Sequence, residues 1–283
     1  MTSSIHDLLA EATRELAAAG VREARTDATL LLGEALNRDR SFMIAHPEHS
    51  VAANQLQKFR EFIARRASGE PLQYITGHQE FFKLDFEVTP DVLIPRPETE
   101  VIVEVALEIL RPDQSARLLD IGAGSGCLAI SILKELTNAR AVAIDISESA
   151  LKVALRNAER HGVMDRLRVI ESDLFSAMAS DDMFDLLVSN PPYVPEAELK
   201  SLQPEVQYEP AAALAGGADG LATIRRILRD APPFLCAGGY LIFEIGFGQS
   251  ESIETLVGAR DWQMIEIRRD LQGIPRTVVV RRK

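Results

Sequence analysis

The sequence predicts an α/β protein: a mainly parallel sheet covered by helices on both faces, preceded by a small helical bundle. Three observations carry this reading. Beyond residue 100, short and almost continuous apolar runs alternate with stretches of helical periodicity, the pattern of strands buried on both sides by crossover helices. Before residue 73, apolar residues recur only at helical spacing. The length, 283 residues, exceeds one average domain and suits a small domain joined to a larger one.

The elements follow in order. "SSIHDLLAEATRELAAAG" sets Ile5, Leu8, Leu9, Ala12 and Leu16 on one helix face, between Ser4 as a cap and Gly20 as a stop. A second helix is expected after Thr26, with Ala28, Leu31, Leu32 and Leu36 inward. "SVAANQLQKFREFIARRASGE" repeats the pattern through Leu56, Phe59, Phe62 and Ile63. Residues 1–73 therefore form the bundle, which carries no chemical motif and reads as a packing or recognition module. In "QYITGHQEFFKLDFEVTPDVLIPRPETE" the spacing changes to alternation broken by glycine and three prolines, which predicts a hairpin-like linker over 74–95. The larger domain spans 96–283. After the helix "ETEVIVEVALEIL" it offers seven strands: "ARLLDIG", "RAVAIDI", "LRVIES", "FDLLVSN", "GGYLIFEIG", "WQMIEIR" and "TVVVRR". Helices intervene at "CLAISILKEL", "SALKVALRNAERHG", "LATIRRILRDAPPFL" and "QSESIETLVG".

Composition excludes several classes. Hydrophobic residues at 46% and charged residues at 26% belong to a soluble globular chain. No apolar run approaches the roughly 20 residues of a membrane helix, and the N-terminus carries acids where a signal peptide carries bases, so a cytoplasmic protein without a membrane partner is expected. Cys127 and Cys236 lack ligand spacing, the five histidines form no metal motif, and "HPEH" (residues 46–49) reads as a solvated helix connection; no metal is implied. A net charge of −11 repels polyanions, so no stable nucleic-acid partner is expected.

"LLDIGAGSGCLAISIL" is a strand, a glycine turn and a helix. Gly122, Gly124 and Gly126 permit a tight turn and close approach to a ligand, and the helix start offers unpaired N–H groups. Asp145 ends the next strand, where a carboxylate can accept both hydroxyl hydrogens of a ribose. The dinucleotide fingerprint would put its third glycine where Cys127 stands, which counts against a nicotinamide-dependent oxidoreductase. A turn of this spacing, preceded by Asp120 and followed by Asp145, is similar to that of S-adenosylmethionine-dependent methyltransferases. Asp120 and the turn would then lie near the amino-acid end of the donor and Asp145 on its ribose. Asp173 follows the third strand in reach of an adenine amino group, with Leu174 against the ring. All fall at the carboxyl ends of strands, where open parallel sheets bind ligands.

"VSNPPYVPE" ends the fourth strand. Each residue before a proline is held extended, and neither Pro191 nor Pro192 has an N–H, so carbonyls here lack internal partners. An amino or amide group can give one hydrogen to the Asn190 side-chain oxygen and the other to the Pro191 carbonyl. That grip aims the delocalised lone pair of a planar nitrogen at a sulfonium methyl group. No base is needed beforehand, because the methylated nitrogen becomes acidic. Tyr193 is expected to pack on the flat group and exclude water.

"QYITGHQEFFKLDFEV", "VLIPRPETE", "DIGAGSGCLAI", "SNPPYVP", "EPAAALAGGADGL", "EIGFGQ" and "RDLQGIPRTVVVR" resemble, in order, the blocks of the HemK/PrmC family of protein-(glutamine-N5) methyltransferases. The resemblance covers nearly the whole chain. It implies a Rossmann-like seven-stranded methyltransferase fold, S-adenosyl-L-methionine as cofactor with S-adenosyl-L-homocysteine as product, and class 1 peptide chain release factors as partners, methylated on the glutamine of Gly-Gly-Gln. Carried onto this chain, it gives Gly122, Ala123, Gly124, Ser125, Gly126, Asp145, Leu174 and Asn190 to the cofactor, to which strand-end position adds Asp173, and Asn190, Pro191, Pro192 and Tyr193 to the glutamine. Arg96, Glu98 and Thr99 would shape the donor pocket or serve the domain junction. Some members carry tryptophan where this chain has Leu174. A monomer is expected. The alternative is a DNA adenine-N6 methyltransferase, since NPPY also marks that class; the acidic charge argues against it, and an intact NPPY argues against an inactive ligand-binding module.

Overall fold

The computed structural model describes residues 4–111, 115–258 and 262–283. Residues 1–3 of the predicted bundle, and 112–114 and 259–261 of the predicted larger domain, lie outside the described residues. The chain divides into two compact units, Met1–Gly77 with Gln203–Tyr208, and His78–Leu202 with Glu209–Lys283.

The smaller unit contains the helices Ile5–Ala18, Ala24–Leu36, Arg40–Ala45, Ala53–Ala67 and Leu72–Thr76. The Ser4 hydroxyl accepts the Asp7 N–H at 3.2 Å and caps the first. Ile5, Leu16, Leu31, Leu32, Phe59 and Ile63 meet in one buried core, the faces that helical spacing marks. The second helix starts at Ala24, so Thr26 lies in its first turn and does not cap it. Asp27, in the same turn, points its carboxylate inward to the Arg66 guanidinium at 2.7 Å, and Arg66 also holds Glu205 at 2.9 Å. The six-residue helix at Arg40 escapes a periodicity argument and depends on its cap, Asp39, which accepts the Phe42 N–H at 2.8 Å.

The larger unit opens on an antiparallel hairpin, β1 (His78–Phe81) and β2 (Leu84–Glu87). Phe81 and Phe86 are fully buried in the core of this unit, so the hairpin is one of its packed elements. The strands β3 (Arg117–Ile121), β4 (Arg140–Asp145), β5 (Leu167–Glu171), β6 (Phe184–Ser189), β7 (Leu235–Glu244), β8 (Trp262–Arg269) and β9 (Pro275–Arg282) form one sheet. Their order is β5-β4-β3-β6-β7-β9-β8, and every pairing from β5 to β7 is parallel. β9 runs antiparallel to both neighbours.

Helices cover both faces. The helices Glu100–Ile109, Cys127–Glu135 and Glu148–Arg160 bury Ile102, Val105, Leu128, Ile132 and Ala158 on one. The helices Ala222–Asp230 and Ser250–Gly258 bury Ile224, Ile227, Ile253 and Val257 on the other, beside Trp262. The predicted helix through "APPFL" stops at Asp230, because Pro232 and Pro233 cannot continue it. Among the described residues no helix is long and apolar enough to cross a membrane.

The strand order positions the site. The chain starts in mid-sheet at β3, winds outward to β5, and returns to β6 on the other flank of β3. At that reversal the loops after the two strands diverge and leave a crevice at their carboxyl ends. Ile121 and Ser189 end their strands in register, and the Ser189 hydroxyl donates to the Ile121 carbonyl at 2.7 Å. The glycine turn and NPPY therefore leave the sheet side by side.

Candidate active site

Beyond Ile121 the chain turns through Gly122, Ala123, Gly124, Ser125 and Gly126. The three glycines have φ of 72°, 54° and 79°, the left-handed region that a Cβ disfavours. A Cβ on Gly122 or Gly124 would face open space; on Gly126 it would meet Ile130 at 3.0 Å and Ala154 at 3.1 Å. The first two glycines thus shape the turn, and the third lets the following helix pack against the helix Glu148–Arg160.

The N–H groups of this turn are mostly taken. Gly122 and Ala123 donate to the Ile144 carbonyl at 2.8 and 3.0 Å, Gly124 to Asp145 Oδ2 at 2.8 Å, and Ala129, inside the next helix, to Asp120 Oδ2 at 3.1 Å. Of the N–H groups expected free at the helix start, that of Ala129 is thus taken. Carboxylate oxygens are offered instead. Asp145 accepts one N–H on each oxygen, the second from Ser147 at 2.9 Å, so each keeps a lone pair for a vicinal diol. Asp120 lies buried at the end of β3 with Oδ1 lacking any partner, and burial pushes its carboxyl up to about 7 against the Ala129 N–H. Desolvation also pushes the Cys127 thiol up to about 12, so it keeps its proton at neutral pH.

A cavity of about 360 Å³ opens above these strand ends, wholly within the larger unit. Gly122, Ala123, Gly124, Ser125, Asp145, Asp173, Leu174, Asn190, Pro191 and Pro192 line it; Gly126 and Tyr193 do not. Asp173 is exposed and pairs with Arg226 at 2.9 Å. Leu174 has φ of 50°, a strained conformation for a side chain of its size. The Ser172 hydroxyl maintains it, donating to the Leu174 carbonyl at 2.6 Å and accepting the Ala177 N–H at 3.0 Å.

Asn190 leaves β6 half-buried. Its Nδ2 donates to the Thr99 hydroxyl at 3.1 Å, and Thr99 donates to Glu244 Oε2 at 2.6 Å. Tyr193 donates its hydroxyl to Glu244 Oε1 at 3.0 Å, so its polar end is turned toward β7 and not into the cavity. Burial pushes the Glu244 carboxyl above the usual range, while the Thr99 and Tyr193 hydroxyls and Arg276 hold it down. No hydrogen bond falls on Asn190 Oδ1 or on the Asn190 and Pro191 carbonyls among the described residues. Gln249 Nε2 holds the Tyr193 carbonyl at 3.0 Å and fixes the far side of the corner.

Sequence reasoning missed contributors from four segments. Glu244 closes the apolar strand "YLIFE", and a buried acid at a strand's carboxyl end is the signal that could have found it. Asp91, Val92 and Leu93, inside the predicted linker, line the cavity, as do Pro210 and Ala213 from "EPAAAL" and Thr223 and Arg226 on a helix. Of the "PRPETE" residues, Pro95 and Thr99 line it; Arg96 is instead paired with the buried Glu209, whose other oxygen accepts the Ile94 N–H at 3.1 Å.

Residues 7–77 match the family model of the PrmC N-terminal domain, and residues 100–207 that of the methyltransferase small domain. Over 264 residues the chain is 47% identical to the release factor glutamine methyltransferase of Geobacter sulfurreducens, covering 93% of this chain and 91% of that protein. The chain belongs to the release factor glutamine methyltransferase family. The enzyme of that name from Koribacter versatilis is 42% identical over 272 residues, 96% of each chain. As in other methyltransferases, the sheet is Rossmann-like. The T. Thermophilus 16S rRNA N2 G1207 methyltransferase, solved with AdoMet and guanosine, aligns with a TM-score of 0.52 and 18% identity over 73% of this chain and 49% of that one, a likeness of fold.

Proposed function

We propose that this chain transfers a methyl group from S-adenosylmethionine to the side-chain amide nitrogen of a glutamine in a class 1 peptide chain release factor, within its Gly-Gly-Gln tripeptide. The observation that carries the reading is the pairing of two strand ends: a glycine turn flanked by acids after β3, and an Asn-Pro-Pro corner with open acceptors after β6, lining one cavity. The residues present fit the donor. Asp145 has a spare lone pair on each oxygen for a ribose diol, the buried Asp120 Oδ1 has no partner within the chain, and the open space beyond Gly122 and Gly124 admits a ligand. Asp173 and Leu174 suit the base. When bound, the donor supplies an electrophilic methyl carbon.

The chain's own residues then act on the amide. Asn190 Oδ1 and the Pro191 carbonyl accept its two hydrogens and hold its plane, so the lone pair points one way. The prolines keep those acceptors unpaired by backbone. Tyr193 and Gln249 brace the corner from behind. The smaller, helical unit contributes recognition of the folded factor, and the chain works in the cytoplasm as a monomer.

The names of the relatives support glutamine over the adenine of DNA, as does the net charge of −11. Incubation with labelled donor and separate pools of release factor and duplex DNA, followed by mass spectrometry of the modified residue, tests the reading. A labelled glutamine in the factor is expected; label in adenine would overturn it.

A further inference from the structure

The amide of Asn190 has two orientations that differ only in which end faces the substrate, and a reversed amide would present donors to donors. We infer that Thr99 and Glu244 select the productive orientation, acting as positioning residues for Asn190. The inference rests on the glutamine reading above.

A threonine hydroxyl has one hydrogen. Here that hydrogen goes to Glu244 Oε2 at 2.6 Å, so Thr99 Oγ1 meets Asn190 only as an acceptor. Asn190 must then present Nδ2, as it does at 3.1 Å, and Oδ1 is left for a substrate hydrogen. The end of the relay is fixed by Glu244. Its second oxygen lies 3.0 Å from the Tyr193 hydroxyl, so each oxygen faces one hydroxyl, and in the ionised form both accept. Burial and Glu98 favour its protonated form, and the Thr99 and Tyr193 hydroxyls with Arg276 act against them to hold the ionised one. Were Glu244 to donate, Thr99 would be free to donate in turn to Asn190, and the amide would favour the reverse orientation. Thr99 and Glu244 are almost wholly buried, so water does not compete for these bonds. The relay also joins the loop after β6, the last residue of β7 and the turn Pro97–Thr99 before the helix Glu100–Ile109.

Thr99→Val keeps shape and removes the acceptor; Thr99→Ser keeps the hydroxyl. With Thr99→Val, kcat on the release factor should fall on the order of 100-fold, the loss expected from a misplaced reacting group, with KM and donor affinity little changed. Thr99→Ser should restore most of kcat, a rescue that a role in packing the threonine methyl would not give. A second measurement needs no turnover: the side-chain amide of Asn190 in ¹⁵N–¹H spectra, assigned by its disappearance in Asn190→Asp. One of its protons should exchange slowly with water in the wild type and in Thr99→Ser, and rapidly in Thr99→Val, with the remaining spectrum unchanged. Equal exchange in wild type and Thr99→Val, or full kcat in Thr99→Val, would overturn the relay. A wild type that shows the slow proton yet leaves glutamine unmethylated would overturn the glutamine reading while supporting the orientation.

Discussion

Asp120 and Asp145 end neighbouring strands with the same side chain and meet opposite environments. Asp145 is satisfied by two N–H groups, whereas Asp120 has one and is buried with its other oxygen bare. Burial holds the Asp120 proton to about pH 7, while the unfolded chain releases it near 3.8. Between those values the unfolded state has fewer protons, so stability falls as pH rises, by about 1.4 kcal/mol per unit in mid-window. Asp120→Asn removes that dependence. Its Tm relative to wild type should therefore rise from pH 4 to pH 8, and melts in matched buffers that show a constant difference would remove Asp120 as the cause. Asn190→Ala belongs to the same scale: turnover should fall on the order of 100-fold or more, with donor affinity by calorimetry nearly unchanged. Asn190 was legible because a Pro-Pro neighbour constrains it locally. Its control by Glu244 was not, since Thr99 and Glu244 are 145 positions apart and only the fold unites them.

The glycine turn shows how one element serves two purposes, and its glycines should fail differently. At Gly122 alanine meets strain alone, about 1–2 kcal/mol for a left-handed Cβ. At Gly126 the same strain adds to contacts with Ile130 and Ala154 that are too close, where overpacking costs about 1–3 kcal/mol more. Gly126→Ala should thus lower Tm further than Gly122→Ala, although Gly126 does not line the cavity. Equal melting temperatures would place the two glycines in one role. Elements with strong period were readable: the strands after residue 116 match the apolar runs, and a candidate residue ends or follows each of β3, β4, β5 and β6. What periodicity could not supply was pairing. The hairpin β1–β2 reads locally as a linker, and only the burial of Phe81 and Phe86 shows which core it completes.

At the scale of the whole molecule, chain order and spatial order part company. The segment Gln203–Tyr208 lies between NPPY and "EPAAAL" in sequence, yet it packs with the helical unit, where Glu205 meets Arg66 across 139 positions. No local signal announces that. Among the described residues, every one that lines the cavity belongs to the larger unit. The helical unit keeps its own core and exposes Ile44 and Leu30 on its surface. A unit that contributes no described residue to the lining can assist the reaction by binding parts of the factor remote from the glutamine, which lowers KM without touching the barrier. A peptide containing Gly-Gly-Gln carries the reacting group and lacks those remote parts. Progress curves followed by mass spectrometry should therefore give a KM for the peptide roughly 10- to 100-fold above that for the folded factor, with kcat at saturation nearly equal. A peptide as efficient as the factor would confine the helical unit to stability. A peptide that loses kcat while keeping KM would mean that the remote contacts are used to position the amide on Asn190, and the recognition role would move from binding to orientation.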